Sequence, residues 1–242
     1  VKGALDHITV VLVRPQQAGN IGVAARAIAN LGVGRLALVA PPNFDPERAR
    51  WMAPKSHHVI NDAHYCESVA DAVAHAQRVI ATTARPRSRE WPVHGPLEVS
   101  RLVASDPVPT AILFGPEDSG LSNEDLGLAE ALLHFPTGKV SSINLGQAVT
   151  ATVTALASAH QPGDETLESD ADERAPVGRR EDLVKRVMEV LDTTEYLQGR
   201  SDPVVSNTLI RLAARADLRQ EELNNLLGMV KQVRWWLKAR SR

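Results

Sequence analysis

Arg26 is the only ionisable residue in the run PQQAGNIGVAARAIANLG, residues 15–32. Around it Ile21, Ala24, Ala25, Ile28, Ala29 and Leu31 suit burial on a helix, and no Asp or Glu in the run can pair with it. A guanidinium is planar, permanently charged and carries a fixed fork of donors. The chemistry it suggests is a grip on phosphate, or the steering of a hydroxyl beside one. The plainer alternative is an ion pair with a distant acid such as Glu117 that serves stability alone. A second cationic group follows in ARPRSREWP, residues 84–92, where Arg85, Arg87 and Arg89 stand at alternate positions. Three planar donors in one loop suit bidentate phosphate contacts.

Two further segments expose backbone rather than side chains. FGPEDSGLSNEDL (114–126) turns on Gly115 and Gly120 and restarts as a helix capped by Ser122 or Asn123. FPTGKVSSINLGQAV (135–149) enters a helix through Ser141, Ser142 and Asn144. Small side chains leave N–H and C=O groups open there, and such edges suit a purine ring. The glycines of AGNIG turn the chain into a helix N-terminus that favours an anion. They do not make a dinucleotide fingerprint: the spacing is GxxG, and VAPP stands where a ribose-binding acid belongs. No Lys-Ser/Thr pair follows for a nucleoside triphosphate. His57 and His58 are adjacent, while His64, His75 and His160 are isolated, so no metal set is expected. Glu117 and Asp118 sit too close together for an acid–base pair.

These segments need a frame. The runs at 8–13, 35–40, 78–83, 110–115 and 132–136 are short, nearly all apolar and rich in β-branched residues. They read as parallel strands covered on both faces. Helical patterns lie between them at 20–31, 46–53, 67–76, 97–104, 122–130 and 142–160. The alternation predicts a doubly wound α/β domain over residues 1–160, with its ligand loops at the carboxyl ends of the strands. Residues 161–178 read as a flexible acidic linker, with six acids and no base between 164 and 173. A helical extension follows over 179–242, with helices near 180–198, 204–216 and 219–240. From Arg174 onward there are 14 Lys or Arg against 9 Asp or Glu, although the whole chain carries a formal charge of -2. Lys231, Arg234 and Lys238 surround Trp235 and Trp236, of which at least one is expected to pack. A single cysteine, Cys66, excludes an intrachain disulfide and fits a reducing, cytoplasmic setting. No stretch reads as a membrane span.

Together GNIGVAARAIANLG, FGPEDSGLSNEDL and SSINLGQAV resemble the three signature motifs of the SPOUT class of S-adenosylmethionine-dependent RNA methyltransferases. More narrowly they resemble its TrmH-like branch of ribose 2'-O-methyltransferases. The TTARPR segment and the helical extension are similar to the bacterial TrmJ family, which methylates the 2'-hydroxyl at position 32 of the tRNA anticodon loop. The resemblance implies a parallel sheet with helices on both faces, a C-terminal trefoil knot and a homodimer. It implies S-adenosylmethionine as cofactor, with S-adenosylhomocysteine as product, and tRNA as partner. Carried over by motif, the cofactor residues are Thr82, Thr83, Ala84, Gly115, Phe135, Ser141, Ser142 and Ile143. Arg26 falls on the catalytic arginine, Asn20 on the asparagine that supports it, and Ser142 on a residue that orients the hydroxyl. Arg87, with Arg85 and Arg89, falls on the RNA-binding loop, and Lys231, Arg234 and Lys238 are expected to extend the footprint. Val140 departs from the pattern, since relatives often carry an aromatic there. Rival readings are a methyltransferase of ribosomal RNA, an NAD oxidoreductase, and a non-catalytic nucleic-acid binder with a helix-turn-helix in NTLIRLAARADLRQEELNNLL.

Overall fold

The computed structural model describes residues 3, 5–42, 44–84, 91–139, 142–160, 174–197 and 202–240. Seven strands form one sheet: β1 (Leu5–Val13), β2 (Val33–Val39), β3 (His64–Cys66), β4 (Arg78–Thr83), β5 (Val93–His94), β6 (Thr110–Phe114) and β7 (Ala131–His134). Their order is β3-β2-β1-β6-β4-β7-β5, and every pairing is parallel. Successive side chains of a strand point to opposite faces. Val10, Leu12, Ile80, Ile112, Phe114 and Leu133 thus enter one core. Val11, Val13, Val79, Ala81, Leu113 and Leu132 enter the other. Both faces are covered, which is why the strands carry unbroken apolar runs.

The first face is covered by α1 (Ala18–Leu31), α5 (Pro96–Ser105) and α7 (Leu145–Ala159), with α7 packed mainly on the other two. Outside α1 lie α2 (Pro46–Trp51) and α3 (His57–Asn61). Helices α1 and α2 touch through Gly22, where a β-carbon would fall 2.2 Å from the Ala49 carbonyl oxygen. Gly32, at φ 67°, closes α1 and returns its N–H to the carbonyl of Ile28, a left-handed cap that glycine reaches without strain. The second face carries α4 (Val69–Val73), and α6 (Asn123–Gly127) follows β6.

The C-terminal part holds α8 (Val177–Thr193), α9 (Asp202–Arg215) and α10 (Gln220–Arg240). Helices α9 and α10 each pack on α8 rather than on one another, so the segment is not organised as a helix-turn-helix pair. Ala175, Leu183 and Leu223 form a small core there. Ala175 is buried in that small core, and Val177 is buried against the second core of the sheet. Residues 161–173 lie outside the described residues.

A buried ion network joins this extension to the amino end of the sheet. Arg78 opens β4 with a side chain that is 0% exposed, and its Nη2 lies 2.6 Å from Asp106. Arg174 reaches Asp106 at 3.2 Å, Glu130 at 3.4 Å and Asp217 at 3.0 Å. Arg180 of α8 donates to the carbonyls of Ala214 and Gln77. Burial holds the Glu130 carboxyl above its usual range, against the opposing pull of Arg174 and Arg78.

Candidate active site

The loops singled out by sequence meet at the carboxyl rim of the sheet. Strands β6, β4 and β7 are immediate neighbours, and their ends deliver Gly115, Thr82 to Ala84 and Phe135 side by side. Thr82 is tied inward, its hydroxyl donating to the carbonyl of Leu113 at 2.9 Å. His134 Nδ1 lies 3.1 Å from the Thr83 carbonyl oxygen. Gly115 is forced by crowding, because a β-carbon there would lie 2.4 Å from the Leu121 nitrogen. Phe135 is half-buried against the first core. Ser142, Ile143 and Asn144 are exposed where the chain enters α7.

The three signature segments are bonded to one another. Glu117, in the loop after β6, accepts from the backbone N–H of Gln16 at 2.9 Å and of Gln17 at 3.2 Å. It also accepts from Asn20 Nδ2 at 2.7 Å. Asn20 Oδ1 in turn accepts from Asn144 Nδ2 at 3.0 Å, and Asn144 caps α7 by accepting from Gln147 N–H. Gln17, at the start of α1, makes no side-chain cap bond of its own. The anion expected at this helix N-terminus is therefore supplied by the chain itself, as Glu117. A second tie runs beside the first. Arg14, at φ 47°, pairs with Asp125, which is buried and shares a capping box with Ser122. Asp118 is held below its usual carboxyl value by hydrogen bonds from Gln16 and Ser119.

Asn20 is buried inside this cluster, but Arg26 is not part of it. Arg26 lies one helical turn beyond Gly22, on the side of α1 that meets α2, and its side chain is exposed. It makes no ion pair with Glu117, whose oxygens are occupied by Gln16, Gln17 and Asn20. The stability-only alternative for Arg26 thus has no partner among the described residues, and the expectation of a cation on a buried face is corrected: the helix has one wet edge, and Arg26 stands on it. Ser141, with Val140, and Arg85, Arg87 and Arg89 lie outside the described residues. On α10, Lys231 and Lys238 are exposed, while Arg234 is bound to Glu189 at 2.8 Å. Trp235 and Trp236 are 64% and 46% exposed, so neither is a core residue.

Sequence reasoning passed over Glu117 and Asn144 as linking residues. Each lay in a motif already singled out, but their role depends on a partner about 100 residues or more away in sequence. A cleft of about 840 Å3 opens at the opposite, amino end of the sheet, lined in part by Arg35, His58, His64 and His75. It lies away from the strand ends where such folds bind ligands. No group of His, Cys, Asp or Glu suited to a metal ion occurs among the described residues.

A family model, the SpoU rRNA Methylase family, matches residues 7–154. The chain belongs to this family. Across its length it is similar to the tRNA (cytidine/uridine-2'-O-)-methyltransferase TrmJ of Escherichia coli O6:K15:H31 (strain 536 / UPEC), at 30% identity over 95% of this chain and 96% of the relative. The crystal structure of TrmJ from Z. mobilis ZM4 superposes with a TM-score of 0.83 at 31% identity, over 93% of this chain and 98% of that one. A solved structure concerned with 2-OH methylation of C/U34 on tRNA superposes with a TM-score of 0.50 at 30% identity. It covers 62% of this chain and 93% of its own length. The SpoU match ends before α8, whereas the TrmJ likeness runs through α8, α9 and α10.

Proposed function

We propose that this SpoU-family chain is an S-adenosylmethionine-dependent tRNA (cytidine/uridine-2'-O)-methyltransferase. The observation that carries the reading is the hydrogen-bond chain Glu117–Asn20–Asn144, which binds all three signature segments into one rim. The residues there fit the cofactor: strand-end backbone at Ala84 and Gly115 beside Thr83, an apolar wall at Phe135, and small polar residues at Ser142 and Asn144. Ser141 and Ile143 complete that set in the reading. Bound there, S-adenosylmethionine supplies a methyl group on an electrophilic sulfonium.

The chain's own residues do the rest. Asn20 and Glu117 fix the first turn of α1, and with it the helix that carries Arg26. Arg26 is exposed and without an ion-pair partner among the described residues, so its guanidinium is available for an RNA phosphate. Its part is to hold the phosphate beside the reacting ribose and align the 2'-hydroxyl, since positioning converts an encounter into a first-order step. A guanidinium keeps its proton in proteins, so Arg26 is a positioning group rather than the base. Ser142 stands at the same rim to orient the hydroxyl. Arg85, Arg87 and Arg89, with Lys231, Arg234 and Lys238, extend the phosphate contacts in this reading, Arg234 after release from Glu189.

The reading includes a homodimer, a cytoplasmic setting and the trefoil knot. Strand β7 lies between β4 and β5, which are consecutive in sequence, as a threaded chain requires. Likeness to TrmJ across the helical extension favours tRNA over ribosomal RNA, and position 32 over position 34, because the C/U34 structure covers 62% of the chain. Mass spectrometric mapping of 2'-O-methyl nucleosides, in tRNA incubated with protein and labelled cofactor, tests this. The mark is expected at nucleotide 32, with Arg26→Lys losing most turnover while binding S-adenosylhomocysteine normally. No label in the tRNA would overturn the reading.

A further inference from the structure

Trp51 is 88% exposed, more than any other large apolar side chain among the described residues. It ends α2, and the helix that presents it is firmly held. Asp45 accepts from Arg48 N–H at the helix start, Pro46 fixes the first turn, and Ala49 and Ala53 are fully buried. Arg50 is bound to Glu47 and to Asn61, and its carbonyl bonds His57 Nε2 at 3.1 Å. The contact with Gly22 leaves α2 no room to slide along α1. Met52, next to Trp51, lies 3.8 Å from where a β-carbon of Gly19 would stand, and Gly19 precedes Asn20. The bare indole is therefore one helix away from the rim, on the side of α1 that also carries Arg26.

Its surroundings are cationic. With Asp45 on the Arg48 N–H and Glu47 on Arg50, the guanidinium of Arg48 and the ammonium of Lys55 are left exposed and without ion-pair partners among the described residues. On a helix, residues three apart share a face, so Arg48 and Trp51 are neighbours. An exposed aromatic with an unpaired cation on its own helix face is the arrangement that grips single-stranded nucleic acid, the ring stacking on a base and the cation meeting a phosphate.

We propose that Trp51, with Arg48 on its helix face and Lys55 in the turn that follows, is a stacking platform for an unstacked loop nucleotide of the RNA substrate. The platform rests on the methyltransferase reading but adds a contact that none of the signature segments contains. Charge complementarity favours RNA as the occupant. A second copy of the chain is the competing one.

The test uses the full chain saturated with S-adenosylhomocysteine. Its affinity is measured for a fluorescent tRNA anticodon stem-loop and for an RNA duplex of equal charge. Trp51→Ala should weaken stem-loop binding about tenfold or more, leave the duplex unchanged, and be rescued by Trp51→Tyr to within about threefold. The double variant Arg48→Gln, Lys55→Gln should flatten the salt dependence by about one unit of slope. Cofactor affinity and sedimentation mass should match the parent in every variant. Stem-loop binding by Trp51→Ala equal to the parent would overturn the platform alone. A lower mass for Trp51→Ala would also overturn it, assigning the indole to a subunit contact. Failure of the parent chain to bind the stem-loop would overturn the methyltransferase reading together with it.

Discussion

The two ends of the sheet solve opposite problems. At the carboxyl rim, a chain of amides around Glu117 holds three loops together through directed hydrogen bonds, with the Arg14–Asp125 pair beside it. At the amino rim the cations are packed in: Arg78 and Arg174 pair with Asp106, Glu130 and Asp217, Arg180 binds carbonyls, and Arg78 has no exposed side-chain surface, while Asp106 and Asp217 keep an edge to solvent. A site that must receive a ligand keeps its polar groups reachable. A joint that must never open can bury them, at a desolvation cost that mutual pairing offsets. Both rims are rich in polar contacts, yet only one is built for traffic.

Substitutions at either end can break this contrast. The largest effect belongs to Arg78→Met, which leaves Asp106 and Glu130 short of a cation and should destabilise the chain by about 3–5 kcal/mol in urea unfolding. At permissive temperature the folded fraction should still bind S-adenosylhomocysteine with unchanged affinity. Loss of cofactor binding at full folding would show that the two rims are coupled. Glu117→Gln should act the other way round. It places a donor against the N–H groups of Gln16 and Gln17, so kcat/KM should fall about tenfold while stability falls by only about 1 kcal/mol. Equal damage to both quantities would make Glu117 a strut. The smallest effect concerns His75 in the amino-end cleft. Partial burial, then Arg35 and His64, hold its imidazole below the ordinary value of 6.5. The neutral ring is thus favoured in the folded chain, so its contribution is full above that value and fades as pH falls through the lowered one. His75→Gln should therefore make the melting temperature fall less between pH 7.5 and pH 5.5 than it does in the parent chain.

Most of the frame was legible in the sequence because it is written in local period. The apolar runs at 78–83 and 110–115 became β4 and β6 almost residue for residue, and the helical patterns became α1, α5 and α7 within a few positions. The elements that escaped, β3, β5 and α3, have three, two and five residues. Strands that short exist because a neighbour offers an edge, and no period can announce them. The site shows the same division. Gly115, Thr82, Thr83 and Phe135 follow strands and gather where the topology puts strand ends. Glu117 and Asn144 could not be read as a bridge, because the bond joining them passes through Asn20, far away in sequence. Arg26 was read as lying on a buried face, and it is exposed. Its neighbours at 24, 25, 27 and 28 are core, which hides the narrow exposed edge that α1 keeps beside α2.

The strand order carries a consequence for synthesis. Among the described residues, strand β5 pairs with β7 alone, which is made 37 residues later. A chain emerging from the ribosome therefore holds Val93 and His94 without an edge to join until Ala131 to His134 arrive. The inner strands can assemble as they are made, but the edge of the sheet is finished out of order, by a late segment that docks on β4 and only then receives the earlier β5.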